Sequence, residues 1–559
     1  ITVNMKNQIF TLMLCALAAQ GADAKVRTTR QMVGEAARVL ATKGNTMKAK
    51  ATGELKVLKR ESQLSIVGYE GGRCVVIAND DTFQPVLAYY DAPKYGEQNP
   101  ALEWWMETMN QSLADKLSNG ELPDEFVLKD GYKTEVAPLL TTTWGQSSPF
   151  NNLCPTYTTN GNKNRYITGC VATAMAQVLK YHQYPEKGSG EICEWTYMPD
   201  GVTERTQKVR FNTTYDWANM IDKYTDNATS TQKTAVAKLM RDCGAASAMQ
   251  YAPDGSGTTY TAALKGMRRY LTFDYASKCY FREFTPKSIW MDMVYYDLSE
   301  GRPVMYSGST KNREGHAFVF DGYDKDGLVH VEWGWEGVGD GYFDMSLLNS
   351  EQGSYTEGQT LLLTRKPGTT DANKYESHWG LGQSLKITLS GTTLTVGKVS
   401  FYNLDVDNFT GQIQLLCYNL QTNKGYVLSN IGEVSSMPLL NGGSIELGDM
   451  DLKGLEDGVY QIFFGSHSTS DDAPEDGWMP MYGGDGIVSN YILTVKNGEF
   501  SLTKGNDDFS ISTGINKLTT SSATAKKMRV YSIDGRVMGN DINAMGKGLY
   551  IVDGKKVMK

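Results

Sequence analysis

The stretch Thr168-Gly-Cys-Val-Ala-Thr-Ala-Met-Ala-Gln-Val-Leu-Lys-Tyr-His-Gln-Tyr184 constrains this chain more than any other. Val171, Ala174, Met175, Val178 and Leu179 recur at helical spacing and predict a buried stripe. Ala172, Ala174 and Ala176 keep the helix slim. Gly169 stands just before it and Pro185 just after, as start and stop signals should. Cys170 therefore falls in the first turn, where unpaired backbone N–H groups and the helix dipole favour a thiolate over a thiol. A small buried residue on a core helix would also account for a lone cysteine, because free Cys is among the most buried residue types. What decides between the two lies further along the chain.

The 559 residues are enough for several domains. A net charge of −8 and a pI near 5.4 exclude a bulk basic face and argue against nucleic acid as the main partner. The 57 Gly and 32 Tyr suggest many turns and much β-structure. The 8 Cys are scattered at 15, 74, 154, 170, 193, 243, 279 and 417 with no C-x-x-C pair, so a zinc ribbon is not expected. The 5 His, at 182, 316, 330, 378 and 467, form no metal-spaced cluster. No metal and no organic cofactor is predicted.

In chain order, Met5–Ala24 carries one basic residue, a short apolar run and Ala22-Asp-Ala24, the pattern of a secretory signal with cleavage after Ala24. Ile1–Asn4 are read as preceding the true start. No other run reaches transmembrane length. Removing Cys15 with the signal leaves an odd number of widely spaced cysteines, which suggests mostly unpaired thiols. Residues 25–136 form a first α+β unit, with helices predicted at Gln31–Thr42 and Ala101–Leu117 and strands at Leu64–Tyr69 and Cys74–Asn79. The polar stretch Leu128–Pro138 reads as an exposed connector. A propeptide and an ordinary N-terminal domain both fit this composition.

Residues 137–367 read as an α+β domain holding the Cys170 helix, two further helices at Thr231–Cys243 and Tyr260–Tyr270, and then strands at Pro303–Ser307, His316–Tyr323, Leu328–Trp333 and Gly341–Met345. Asp324-Lys-Asp-Gly327 is a hairpin turn without calcium-loop spacing. Lys366–Ser384 reads as a linker. Short strands over 383–505 predict a β-sandwich of immunoglobulin-like type. Ser510–Ala525 reads as a second linker, and 515–559 ends in a small all-β tail.

A thiol becomes an efficient nucleophile when an imidazole takes its proton and stays beside it as a cation. His316 opens a strand in Gly315-His-Ala-Phe-Val-Phe-Asp-Gly322 and is the best candidate base, although a histidine there can equally be structural. Antiparallel pairing with His330-Val-Glu-Trp-Gly-Trp-Glu-Gly337 would bring Glu332 and Trp333 near it, one to orient the ring and one to shield it. His330, in mid-strand, is expected to pack. His182 lies about three turns from the thiol and cannot be its base; it reads as a helix-end cation. An oxyanion site needs preorganised donors; the Cys170 N–H can supply one and the side chain of Gln146 another.

Taken together, Gly169-Cys-Val-Ala-Thr-Ala-Met-Ala-Gln177 with Lys180-Tyr-His182, Gly315-His-Ala-Phe-Val319, Val331-Glu-Trp-Gly-Trp335 and Gly339-Asp-Gly-Tyr-Phe343 resemble, in order and spacing, the streptopain family of cysteine peptidases. The similarity runs from about Pro138 to Leu348 and includes Met249-Gln-Tyr251 and the Gly/Ser loop near Gly255. It implies a papain-like fold, endopeptidase activity on protein or peptide substrates, Cys170 as nucleophile and His316 as its base. It also implies Gln146 in the oxyanion hole, Trp333 packed against the histidine, and a preference for an apolar side chain just before the residue at the cut bond. The glycine-rich loop Glu336–Gly341 is a candidate wall for that pocket. The family pattern has Asn before that Trp, whereas this chain has Glu332.

Gly72–Asp80, Pro85–Tyr89 and the Ala101–Leu117 helix resemble the family's propeptide. This implies a zymogen whose own prodomain is an intramolecular inhibitor, cut between about Leu128 and Leu139. Met528–Lys559 resembles the sorting domain of type IX secretion cargo, which implies export across an outer membrane to the cell surface or beyond, with that secretion machinery as a partner. The rival reading is a surface binding protein on an inactive peptidase fold, with the β-sandwich as its working module. Acyl transfer to an amine would use the same residues.

Overall fold

A computed structural model describes residues 26–44, 47, 53–92, 99–120, 126–309, 315–346, 358–369, 379–469 and 478–506, with short strands at 530–532, 537–539, 549–552 and 555–558. The expected signal peptide and the 510–525 linker lie outside the described residues. The chain divides into two compact units.

The first unit contains Ile1–Val127 and takes in Asp324–His330 and Val338–Gly353 from far along the sequence. Helix α1, Thr29–Lys43, starts at a capping box formed by Thr28 and Gln31. It buries Met32, Ala36 and Val39 in a core shared with Val67, Val75, Ile77 and Tyr89. Strands Lys56–Arg60, Leu64–Gly68, Arg73–Ala78 and Val86–Asp91 follow one another as antiparallel neighbours. The next strand in the sheet is Gly341–Phe343, antiparallel to Val86–Asp91, with Tyr342 stacked on Tyr89 at 4.8 Å. Helix α2, Pro100–Asn119, is capped by the Asn99 side chain and ends at Gly120 in a left-handed conformation. Its predicted aromatic face is buried, and Trp105 meets Phe343 edge-on at 4.9 Å. The Asp324–Gly327 turn forms as expected, closed by Gly327 N–H on the Asp324 carbonyl at 3.0 Å.

The second unit holds the rest. Its peptidase region is a mixed α/β structure with helices α3 (Cys170–His182), α4 (Ser230–Ala246), α5 (Tyr260–Leu271) and α6 (Lys287–Ser299). The antiparallel strands run in the order Gly315–Tyr323, Val304–Ser309, Thr360–Leu363, Lys278–Phe281. The apolar stripe of α3 is buried as predicted, and Met175, Ala176 and Leu179 share a core with Met305, Ala317 and Val319. Helix α6 was not legible beforehand. Ile289, Trp290, Met293, Val294 and Leu298 are buried, and apolar residues on nearly every side blur its period.

Two sheets sharing one apolar core follow the peptidase region. The linker expected up to Ser384 ends sooner, because Trp379–Leu381 is a strand and the fully buried Trp379 belongs to that core. Two long strands, Lys424–Met437 and Gly442–Asp451, add to the predicted set. This sandwich is tied to the peptidase region by charge. Arg268 of α5, 5% exposed, donates to Asp405 at 3.2 Å and also to Asp407. Arg282 pairs with Asp485, whose other oxygen accepts from Lys287 N–H at 2.8 Å. The tail forms a four-stranded sheet in the order Val537–Gly539, Val530–Ser532, Leu549–Val552, Lys555–Met558. Among the described residues no helix is long and apolar enough to cross a membrane.

Candidate active site

Cys170 is the first residue of α3, as its sequence context predicts. Gly169 caps the helix at φ +86°, and a Cβ there would lie 2.8 Å from both Met249 and the Ser256 carbonyl. Only glycine lets the chain enter the helix so close to the Gly255–Gly257 strand. The consequence is chemical, because the thiol is delivered to the helix end without a flanking side chain on that side.

Seven cysteines are described, all unpaired, and six of them are buried. Burial pushes the Cys74 and Cys154 thiols up to about 12. Cys193, Cys243, Cys279 and Cys417 are raised as well, burial again being the main cause. Cys170 goes the other way. Desolvation opposes its thiolate, but the hydrogen bond and positive charge of His316, with the Ala317 and Val171 N–H groups, outweigh it and hold the thiol below its usual value. The His316 imidazole answers in kind. Desolvation would lower it, yet the bond and charge of Cys170 and the Trp333 carbonyl raise it. Each group therefore shifts the other towards its charged form.

His316 sits where its strand begins, opposite Gly308. Its Nε2 lies 3.1 Å from the Trp333 carbonyl oxygen and 3.2 Å from Trp335 Nε1. With Nε2 engaged there, Nδ1 is the nitrogen available to the thiol. In the imidazolium, and in the neutral tautomer whose bare Nδ1 can take a proton, Nε2–H donates to the Trp333 carbonyl; only the other neutral tautomer, with Nε2 bare, accepts from Trp335 Nε1–H.

Two expectations for this segment change. The Glu332 carboxylate, 2% exposed, accepts from Gln177 Nε2, while a main-chain carbonyl takes the imidazole N–H. The Trp333 indole packs on Phe318 at 4.7 Å, and the rings stacked on His316 are those of Trp335 at 6.0 Å and Phe318 at 6.2 Å. The reason is local. The strand ends at Glu332, and Gly334 at φ +79° turns the chain, so the alternation assumed for the whole segment stops before the tryptophans. Trp335 stood in the quoted motif, but a period-two reading gave it no role.

Gln146 is buried in a loop held just ahead of α3, its main-chain carbonyl accepting from Thr168 N–H at 3.1 Å. The same loop meets the histidine side through Glu336 N–H on the Trp144 carbonyl at 3.2 Å. A Cβ on Gly145 would come within 2.6 Å of the Glu336 side chain, which would have to shift. His330 packs edge-on against Tyr342 in the other unit, as a structural histidine. His182 is not a helix-end cation. Burial and the charges of Lys366 and Arg302 lower it to about 4, so it is neutral near pH 7. Among the described residues no group of His, Cys, Asp and Glu could hold a metal ion.

A helix-borne thiol beside a strand-borne imidazole is the arrangement that a cysteine peptidase uses. The Peptidase C10 family model matches residues 144–343, which contain every residue of this site. A prointerpain A fragment from Prevotella intermedia is 38% identical, with a TM-score of 0.50 over 56% of this chain and 98% of that one. The thiol protease/hemagglutinin PrtT of Porphyromonas gingivalis is 29% identical over 344 residues, 57% of this chain but 38% of its own length. Streptopain of Streptococcus pyogenes is 28% identical over 312 residues, 52% of this chain and 75% of its own. The chain belongs to the Peptidase C10 family.

Proposed function

We propose that the protein is a secreted cysteine endopeptidase made as a zymogen. The observation that carries this reading is the contrast among the described thiols: Cys170 alone is lowered, and it is the one beside an imidazole at a helix start. Attack of the Cys170 thiolate on a peptide carbonyl carbon gives a tetrahedral oxyanion, to which the Cys170 N–H and the Gln146 side chain donate. His316 then passes its proton to the leaving amine nitrogen as the C–N bond breaks. The resulting thioester is cleaved by water. Neutral His316 takes a water proton, the hydroxyl adds to the acyl carbon, and the acid leaves with Cys170 restored as thiolate. The Trp333 carbonyl holds the ring through both halves.

The propeptide is the N-terminal segment up to about residue 136, a reading supported by the likeness to prointerpain A, a precursor by its name. The substrates are extracellular proteins, with an apolar side chain favoured just before the residue at the cut bond. The immunoglobulin-like sandwich stays with the peptidase. The signal-like Met5–Ala24 stretch and the C-terminal tail direct type IX export.

Purified precursor incubated beside a Cys170→Ala variant tests this, followed by gel, N-terminal sequencing and casein hydrolysis. The wild type should lose about 100–115 residues, the size of a small domain, with a new terminus between Leu128 and Leu139, and gain activity. The variant should stay whole. If neither changes, and iodoacetamide leaves Cys170 unlabelled after the N-terminal segment is removed by another protease, the peptidase reading fails.

A further inference from the structure

Gln177 lies seven residues beyond Cys170, two turns down the same stripe of α3, and is fully buried. A glutamine inside a slim apolar helix is costly to bury unless every polar atom is used. Here its Oε1 accepts from Thr142 Oγ1 at 2.8 Å and from Trp144 N–H at 3.3 Å. Its Nε2 donates to Glu332. Thr142 and Trp144 lead directly to Gln146, on the oxyanion side. Glu332 precedes the carbonyl that holds His316. Between these levels Thr173, on the same stripe, lies under Gly334, 3.5 Å from where a Cβ would stand. The two flanking segments run up the helix from a shared buried junction, and they touch again above it through Glu336 and Trp144.

We infer that Gln177 is a positioning residue for the hydrolytic reaction, a crossbar that braces the oxyanion loop against the strand end at Glu332 and so keeps Gln146 in register with Cys170. This rests on the peptidase reading and adds a residue that touches neither substrate nor the reacting atoms. It also assigns Glu332 its place in this chain: the carboxylate receives the Gln177 amide and leaves the imidazole to the main chain.

The test compares Gln177→Met, which keeps the volume and removes all three hydrogen bonds, with Gln177→Glu and the exchange Gln177→Glu/Glu332→Gln. Each is assayed for peptide hydrolysis and for alkylation of Cys170 by iodoacetamide across pH. Alkylation needs the thiolate but forms no oxyanion, so it separates the dyad from the loop. Gln177→Met should lower kcat by about 10²-fold, the order expected for a misplacement near 1 Å, with KM and the alkylation profile little changed. Gln177→Glu sets two carboxylates against each other and should lose at least as much. The exchange restores a donor facing an acceptor and should recover to within about fivefold of wild type, a conservative rescue. The inference is overturned if hydrolysis and alkylation fall together, or if the exchange folds with normal thermal stability yet regains no kcat. A wild type that is alkylated but hydrolyses nothing would instead sink the peptidase reading, which keeps the two failures apart.

Discussion

Cys170 and Cys417 carry the same side chain in two regions of one unit, and almost everything about them differs. Cys417 lies in a strand of the sandwich, in an apolar core, where burial pushes its thiol up. Cys170 is half-buried at a helix start with an imidazole and two N–H groups around its sulfur. Desolvation is the largest influence on both. The difference is that the peptidase region supplies donors and a cation that outweigh it, and the sandwich supplies none of these to Cys417. Reactivity belongs to the surroundings of the sulfur.

That contrast can be broken most strongly at the sulfur itself. Cys170→Ala should lower hydrolysis by about 10⁴-fold or more and abolish alkylation of the folded protein, whereas Cys417→Ala should leave both within about twofold; progress curves and mass-spectrometric labelling read the two. Next is the cation. His316→Ala should cost about 10³-fold or more in kcat/KM, and the alkylation curve should move to higher pH. The sign follows from the causes: without the imidazolium the lowering influence is lost, while burial still disfavours the thiolate. In the wild type the active ion pair is lost as pH falls through the depressed Cys170 value. It is lost again as pH rises through the elevated His316 value, so the profile is a bell. An unmoved alkylation curve in His316→Ala would refute the pairing.

A change in the other region should affect stability and not chemistry. Trp379→Ala empties a fully buried site in the sandwich core and should cost about 3–5 kcal/mol in urea unfolding. Below the transition kcat/KM should stay within about threefold. A parallel loss of activity would mean that the sandwich, held through Arg268 and Arg282, helps shape the site. The smallest effect expected is that of Trp335→Phe, which keeps the stacking on His316 and removes one N–H. It should change kcat/KM by about tenfold or less, read from progress curves across pH.

Much of this contrast was legible in the sequence because helix signals are local. Gly169, Pro185 and the apolar stripe give the start, end and buried face of α3, and with them the position of the thiol. The strand that carries His316 follows from its run of β-formers, Phe318-Val-Phe320. The orienting acceptor was harder to see, because a main-chain carbonyl has no letter in a sequence and Gly334 ends the alternation at an unmarked point. Gln177 stood inside the quoted motif, but a lone glutamine on an apolar helix gives no hint of Thr142, Trp144 and Glu332, which come from distant segments. The aromatic-rich α6 hid for the opposite reason, having too many apolar residues to show a period. Trp379 fell within a polar stretch that reads as a linker until its partners in the sandwich core are known.

The strand Gly341–Phe343 carries one further consequence. It follows His316 by some 25 positions in sequence, yet it is hydrogen-bonded to Val86–Asp91 and stacked on Tyr89. Cutting the chain between Leu128 and Leu139 breaks one covalent link and leaves that ladder whole. On the proposed zymogen reading, maturation would then have two stages with different dependences: a cleavage, and a departure governed by mass action. A freshly nicked preparation should gain activity on dilution and lose it again when concentrated, the detached N-terminal segment behaving as a reversible ligand of the rest of the protein.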